Sequence, residues 1–193
     1  MLNKDCHLAA DCERILLSAE ELDVIVTRLA ESIQKTYENS EKQLVMIVIL
    51  KGSLIFASDL MKKLNLPLDL EFMKVSSYGA GTKSSGEIKI SLDLTRDDLQ
   101  DIDLLVIEDI IDSGYTLSRL TQLLRNRNAR SVRTCTLLDK PSRREVDFTP
   151  DFCGAAIPDE FVVGYGLDYD EKYRNLPFVG VLRRDVYQTE RNT

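Results

Sequence analysis

The residues best able to do chemistry concentrate between positions 104 and 117, which read LLVIEDIIDSGYTL. Two adjacent carboxylates, Glu108 and Asp109, follow the apolar run Leu104, Leu105, Val106 and Ile107. A third acid, Asp112, opens the small polar turn Ser113, Gly114, Tyr115 and Thr116. Leu117, Leu120, Leu123 and Leu124 then recur at helical spacing. Strand, glycine-containing turn and helix in this order build a phosphate cradle. Unpaired backbone N–H groups and the positive end of the helix dipole face the turn, and the hydroxyls of Ser113 and Thr116 add donors. The acids sit just before the cradle, where a sugar carrying that phosphate would lie. No Walker lysine and no G-x-G-x-x-G accompany the turn, which argues against a nucleoside triphosphatase and against a dinucleotide-dependent oxidoreductase.

Elements must converge to hold these groups. Residues 14–17 read as a short strand, and Ser18, Ala19, Glu20 and Glu21 form a capping-box signature for a helix with Leu22, Ile25, Leu29 and Ile33 on one face. Residues 44–50 are a near-continuous apolar run, as expected of a central strand covered on both faces. Lys51, Gly52 and Ser53 break it, and Leu54, Phe56, Leu60, Met61 and Leu64 predict a helix. Strands are expected at 68–75, 88–94, 132–138, 161–163 and 178–182. Residues 76–87, rich in glycine and serine, read as a loop able to act as a mobile lid. Strands alternating with helices from 44 to 140 predict an α/β architecture with a mostly parallel twisted sheet and right-handed crossovers. Ligands in such sheets bind beyond the carboxyl ends of the strands. Lys51, Glu108, Asp109 and Lys140 all fall there, which is the reason to treat them as one site.

Bulk properties narrow the classes. A chain of 193 residues with 44% hydrophobic content suits one compact domain with a small appended subdomain. Its net charge of −7, from 25 basic and 32 acidic residues, argues against nucleic-acid or membrane-surface partners. Divalent metal can still reconcile carboxylates with a phosphate-rich substrate. Cys6, Cys12, Cys135 and Cys153 contain no CxxC pair and are expected to be free thiols. The single histidine, His7, lies in a polar terminal segment, so a histidine-dependent mechanism is not expected. With no signal-peptide pattern and no apolar run long enough to span a bilayer, a soluble cytoplasmic protein is expected. Arg143, Arg144 and Glu145 read as a charged surface cluster, with an interface role as the alternative.

Five ordered signatures resemble the hypoxanthine-guanine branch of the type I phosphoribosyltransferases. They are Leu50-Lys51-Gly52-Ser53, Ser77-Tyr78-Gly79, the acid-and-turn stretch above, Leu138-Asp139-Lys140-Pro141, and Phe161 through Tyr169, with Arg174 at the family's spacing. The resemblance covers roughly residues 14–184. It implies a sheet core over roughly 40–150, a hood built from roughly 1–20 and 151–193, and transfer of a 5-phosphoribosyl group from phosphoribosyl diphosphate to a 6-oxopurine, giving IMP or GMP and pyrophosphate. It also implies Mg2+, a homodimer or homotetramer, and a cis Leu50–Lys51 peptide.

The resemblance implies residue roles as well. Glu108 and Asp109 hold the ribose hydroxyls and a magnesium ion. Asp112 handles the purine proton. The turn from Ser113 through Gly114 and Tyr115 to Thr116 takes the 5′-phosphate. Lys51, Gly52 and Arg174 meet pyrophosphate, with Ser77 and Tyr78 carried on the lid. Lys140 reads the purine 6-oxo group, Phe161 stacks on the base, and Val162 offers backbone contacts. Asp168 lies at the purine and helps hold a second magnesium. A non-catalytic regulator that senses phosphoribosyl diphosphate is the alternative on the same scaffold. Asp112, Lys140, Asp168 and the acidic net charge speak against it. A phospho-acceptor signalling domain also carries an acidic pair and a lysine, but the DSGYT turn and the C-terminal third argue against that.

Overall fold

The computed structural model describes residues 7–77 and 88–188. Its main sheet has six strands in the order β4-β3-β2-β5-β6-β7. These are β2 (Gln43–Ile49), β3 (Leu68–Ser77), β4 (Ile88–Leu92), β5 (Ile102–Ile111), β6 (Ser131–Asp139) and β7 (Phe152–Ala156). All neighbours pair in parallel except β3 and β4, which are antiparallel. The sheet is therefore the mostly parallel one that the alternating pattern predicts.

β2 explains the arrangement. Leu44 through Ile49 are all buried because both faces of the strand are covered. Leu44, Met46 and Val48 pack with helix α1 (Ala19–Tyr37) and helix α2 (Leu54–Lys63). Val45, Ile47 and Ile49 pack on the opposite face with Leu117, Leu120 and Leu124 of helix α3 (Tyr115–Asn126). The capping box at Ser18 forms: Glu21 N–H donates to Ser18 Oγ at 3.2 Å, and Ser18 N–H donates to the Glu21 carboxylate at 2.8 Å. Chain progression from β2 goes to β3 on one side, and β5 lies on the other, so the topological switch point falls between β2 and β5.

A second sheet of three strands carries β1 (Cys12–Leu17), β9 (Val179–Leu182) and β8 (Val162–Val163). It joins the two ends of the chain and has its own small core of Val163, Tyr173, Leu176, Phe178 and Leu182. This is the hood that the resemblance implied. A short helix, α4 (Arg184–Gln188), follows it.

Three features differ from the sequence expectation. β7 extends the main sheet to Ala156, although FCGAA has no strand periodicity. Its state is set by pairing with β6, Cys135 opposite Phe152 and Leu138 opposite Ala155. β5 does not end at Ile107 but continues through both acids to Ile111, because β6 supplies partners as far as Asp139. Helix α3 begins at Tyr115, inside the expected turn. The Leu50–Lys51 peptide is cis. Cys135 and Cys153 are unpaired thiols. Among the described residues, no helix is long and apolar enough to cross a membrane.

Candidate active site

The switch point brings two segments into contact. Asp109, on β5, lies so close to Gly52 that a Cβ there would stand 1.5 Å from Asp109 Oδ2. Only glycine admits this approach. Asp109 also accepts a hydrogen bond from Ile110 N–H at 2.8 Å. Its neighbour Glu108 has a buried oxygen, Oε2, with no hydrogen-bond partner. Burial and the Asp109 charge hold the Glu108 carboxyl well above its usual range. Burial likewise pushes the Asp109 carboxyl up to about 6, opposed by backbone N–H groups and by Arg174. This pair is electrostatically unsatisfied and suited to hydroxyl donors or a cation.

The turn follows directly. A cavity of about 200 Å³ is lined by Glu108, Asp112, Ser113, Gly114 and Thr116, among others. Gly114 caps α3 with φ 85°, a left-handed conformation, and no side chain caps the helix. Tyr115 is the first helical residue. Tyr115 N–H makes a long contact to Ser113 Oγ at 3.5 Å, and the glycine cap brings no side chain of its own between the start of α3 and the cavity, an arrangement suited to binding phosphate. The turn is braced from outside. Arg144 donates to the Asp112 carbonyl and to the Asp139 carboxylate, and Glu145 N–H donates to the Ser113 carbonyl at 3.0 Å. Arg144 is therefore not the free surface cation its charged neighbourhood suggested, since its side chain is only 17% exposed.

Lys140 closes this side of the site. It is 7% exposed, and its Nζ stands 3.6 Å from Asp112 Oδ1. Asp112 itself is half exposed, open to an incoming ligand.

Residues 164–174 meet the same glycine, Gly52. Gly166 packs against the Gly52 carbonyl, where a Cβ would stand 2.0 Å away. Arg174 donates to the Gly166 carbonyl at 2.8 Å and pairs with Asp168 at 2.7 Å. Lys51 Nζ reaches Glu171 at 2.8 Å. Lys51, Glu171, Arg174 and Asp168 thus form one chain of charged contacts, joined to the acid pair at Gly52, which meets both Asp109 and Gly166. Phe161 belongs to the hood. Its ring stacks on Tyr187 at 4.9 Å and meets Tyr169 edge-on at 5.6 Å. It is 40% exposed, whereas Val162 is buried in β8. Ser77 ends β3, opposite Ile88. Tyr78 and the rest of the expected lid lie outside the described residues.

Three neighbours escaped the sequence reading. Glu171 sits in the acidic tract GLDYDEKYR, where nothing separates it from Asp168 or Asp170. Arg144 looked like surface charge. Tyr187 lies beyond the last strand with no motif around it.

Comparison with known proteins bears on this arrangement. Residues 16–170 match the phosphoribosyl transferase domain model. The hypoxanthine-guanine phosphoribosyltransferase of Bacillus subtilis is 49% identical over 179 residues, 93% of this chain and 98% of that one. The chain belongs to the phosphoribosyltransferase family. The hypoxanthine phosphoribosyltransferase of Buchnera aphidicola is 46% identical, over 86% of this chain and 94% of that one. The crystal structure of a hypoxanthine phosphoribosyltransferase from Staphylococcus aureus superimposes with a TM-score of 0.90 at 45% identity, covering 95% of this chain and 98% of that chain.

Family membership implies magnesium. Among the described residues, no three acids, histidines or cysteines form a metal cluster. Mg2+ is commonly held by one or two carboxylates with substrate phosphates and water filling its shell. The orphan Oε2 of Glu108 and the raised carboxyl of Asp109 fit that demand. Asp168 is engaged by Arg174 and would bind a cation only by exchanging that partner.

Proposed function

We propose that this enzyme transfers the 5-phosphoribosyl group from phosphoribosyl diphosphate to N9 of hypoxanthine or guanine, giving IMP or GMP and pyrophosphate. The observation that carries the reading is the convergence of three features. Asp109 abuts Gly52, the turn at Ser113 to Thr116 lines a cavity at the start of a glycine-capped helix, and the buried Lys140 stands 3.6 Å from Asp112.

In this reading the turn and the first N–H groups of α3 hold the 5′-phosphate. Glu108 and Asp109 accept hydrogen bonds from the ribose hydroxyls. Mg2+, when bound, would be held by these two acids together with the diphosphate and would offset the charge of the leaving group. Lys51, Gly52 and Arg174 receive the diphosphate. The C1′–O bond to pyrophosphate breaks as the C1′–N9 bond forms, through a state with cationic character at C1′. Asp112 takes the proton that the purine releases. Lys140 donates to the 6-oxo oxygen, and Phe161 offers a stacking face to the base, next to the Val162 backbone. The relatives' names support the choice of base class. A cytoplasmic homodimer or homotetramer is the form in which we expect it to act.

Asp112→Asn tests the assignment. Turnover should fall by about 10²-fold or more, the scale of a positioned proton acceptor, while phosphoribosyl diphosphate still binds. Near-wild-type turnover would remove Asp112 from this role.

A further inference from the structure

Lys51 and Arg174, both proposed diphosphate ligands, share a carboxylate that the mechanism does not use. Glu171 Oε2 lies 2.8 Å from Lys51 Nζ and 3.4 Å from Arg174 Nη2. One oxygen thus bridges two cations from segments more than a hundred residues apart. We propose that Glu171 is an internal counter-anion that occupies the diphosphate subsite in the substrate-free enzyme and is displaced when the diphosphate enters. The proposal rests on the reading of Lys51 and Arg174 given above.

The loop is built to present this side chain. Asp170 and Glu171 have φ of 51° and 58°, left-handed values that non-glycine residues adopt at a cost. Glu171 N–H donates to Asp168 Oδ2 at 3.0 Å, and Tyr169 and Lys172 bridge across the turn. The carboxylate therefore projects back toward Lys51 from a tight, defined turn.

The contact is also easily broken. The Glu171 side chain is 65% exposed and that of Lys51 is 52% exposed. Exposed pairs of this kind are weak. The cation it leaves behind stays in place, because Arg174 keeps its bonds to the Gly166 carbonyl and to Asp168. Diphosphate, with several charges, outcompetes a single carboxylate. The result is a subsite that is never left as bare cations and that has a competitor ready when pyrophosphate must leave. A counter-anion in place about three to ten times as often as not lowers apparent diphosphate affinity by about that factor.

Isothermal titration of pyrophosphate in the presence of Mg2+ tests this on wild type, Glu171→Gln and Glu171→Asp, each first checked for fold by thermal melting. Glu171→Gln should bind pyrophosphate about three- to tenfold more tightly, and KM for phosphoribosyl diphosphate should fall with it. Affinity for IMP, which lacks a diphosphate, should not move. Glu171→Asp, which keeps the charge, should lie near wild type. A purely structural role would weaken all ligands together. Unchanged or weaker pyrophosphate binding in a folded Glu171→Gln, with wild type binding normally, overturns the counter-anion alone. Failure of folded wild type to bind either pyrophosphate or phosphoribosyl diphosphate overturns the functional reading beneath it.

Discussion

Asp109→Asn should make the ligand-free enzyme more stable while damaging it as a catalyst. The Asp109 carboxyl is raised from 3.8 to about 6, chiefly by burial. A folded-state value above the unfolded one means that the protonated form is favoured by folding. The associated stability is fully present below about pH 4 and is lost as pH rises through about 6. A shift of roughly two units corresponds to about 3 kcal/mol at neutral pH. Partial solvent access and coupling to Glu108 reduce this, so about 2 kcal/mol is the working value. Asparagine is nearly isosteric, keeps an acceptor for Ile110 N–H, and removes the like charge beside Glu108. For a chain of this size, about 2 kcal/mol raises Tm by roughly 4–8 °C. Thermal melts at pH 7.5 and pH 4.5 measure it. The variant should exceed wild type at pH 7.5, and the gap should shrink to about 1 kcal/mol or less at pH 4.5. A variant less stable than wild type at pH 7.5, or a gap independent of pH, would refute the claim that this carboxylate is held unsatisfied for a ligand.

Other perturbations address other parts of the site. Lys140→Met should cut kcat/KM for hypoxanthine by about 10²-fold or more and narrow its lead over adenine, because the variant no longer donates to a 6-oxo oxygen; steady-state kinetics with both bases decide it. Gly114→Ala should destabilise the fold by about 1 kcal/mol or more. The new Cβ would stand 3.0 Å from Arg144 Cδ in a left-handed backbone, and denaturant titration will show whether the cost appears. Tyr187→Ala strips the stacking partner from Phe161. It should raise KM for the base by about two- to tenfold, on the scale of an aromatic pair, with KM for phosphoribosyl diphosphate unchanged; equal changes in both would point to a general loss of structure.

The elements with strong periodicity could be read from the residues alone. The run from Leu44 to Ile49, the leucines of α3 and the capping box at Ser18 all specify local structure through burial pattern or short-range hydrogen bonds. β7 could not be read this way. Its small residues have no alternation, and pairing with β6 decides its conformation. Lys140 shows the same limit within the site. A lysine in sequence is an exposed residue by default, and only a tertiary partner such as Asp112 makes its burial tolerable. The link from Glu171 to Lys51 crosses 120 positions, so no local pattern marks it. The acids and the turn were readable because their chemistry is local, whereas the groups that brace them, Arg144 and Tyr187, act through contacts made only in the fold.

The central claim is the transfer reaction itself. Purified enzyme should be incubated with phosphoribosyl diphosphate, Mg2+ and labelled hypoxanthine, guanine or adenine, and the nucleotide and pyrophosphate quantified together. The account predicts IMP and GMP, each with one equivalent of pyrophosphate, and no appreciable AMP. Failure to convert either 6-oxopurine, or conversion of adenine at a comparable kcat/KM, would contradict it.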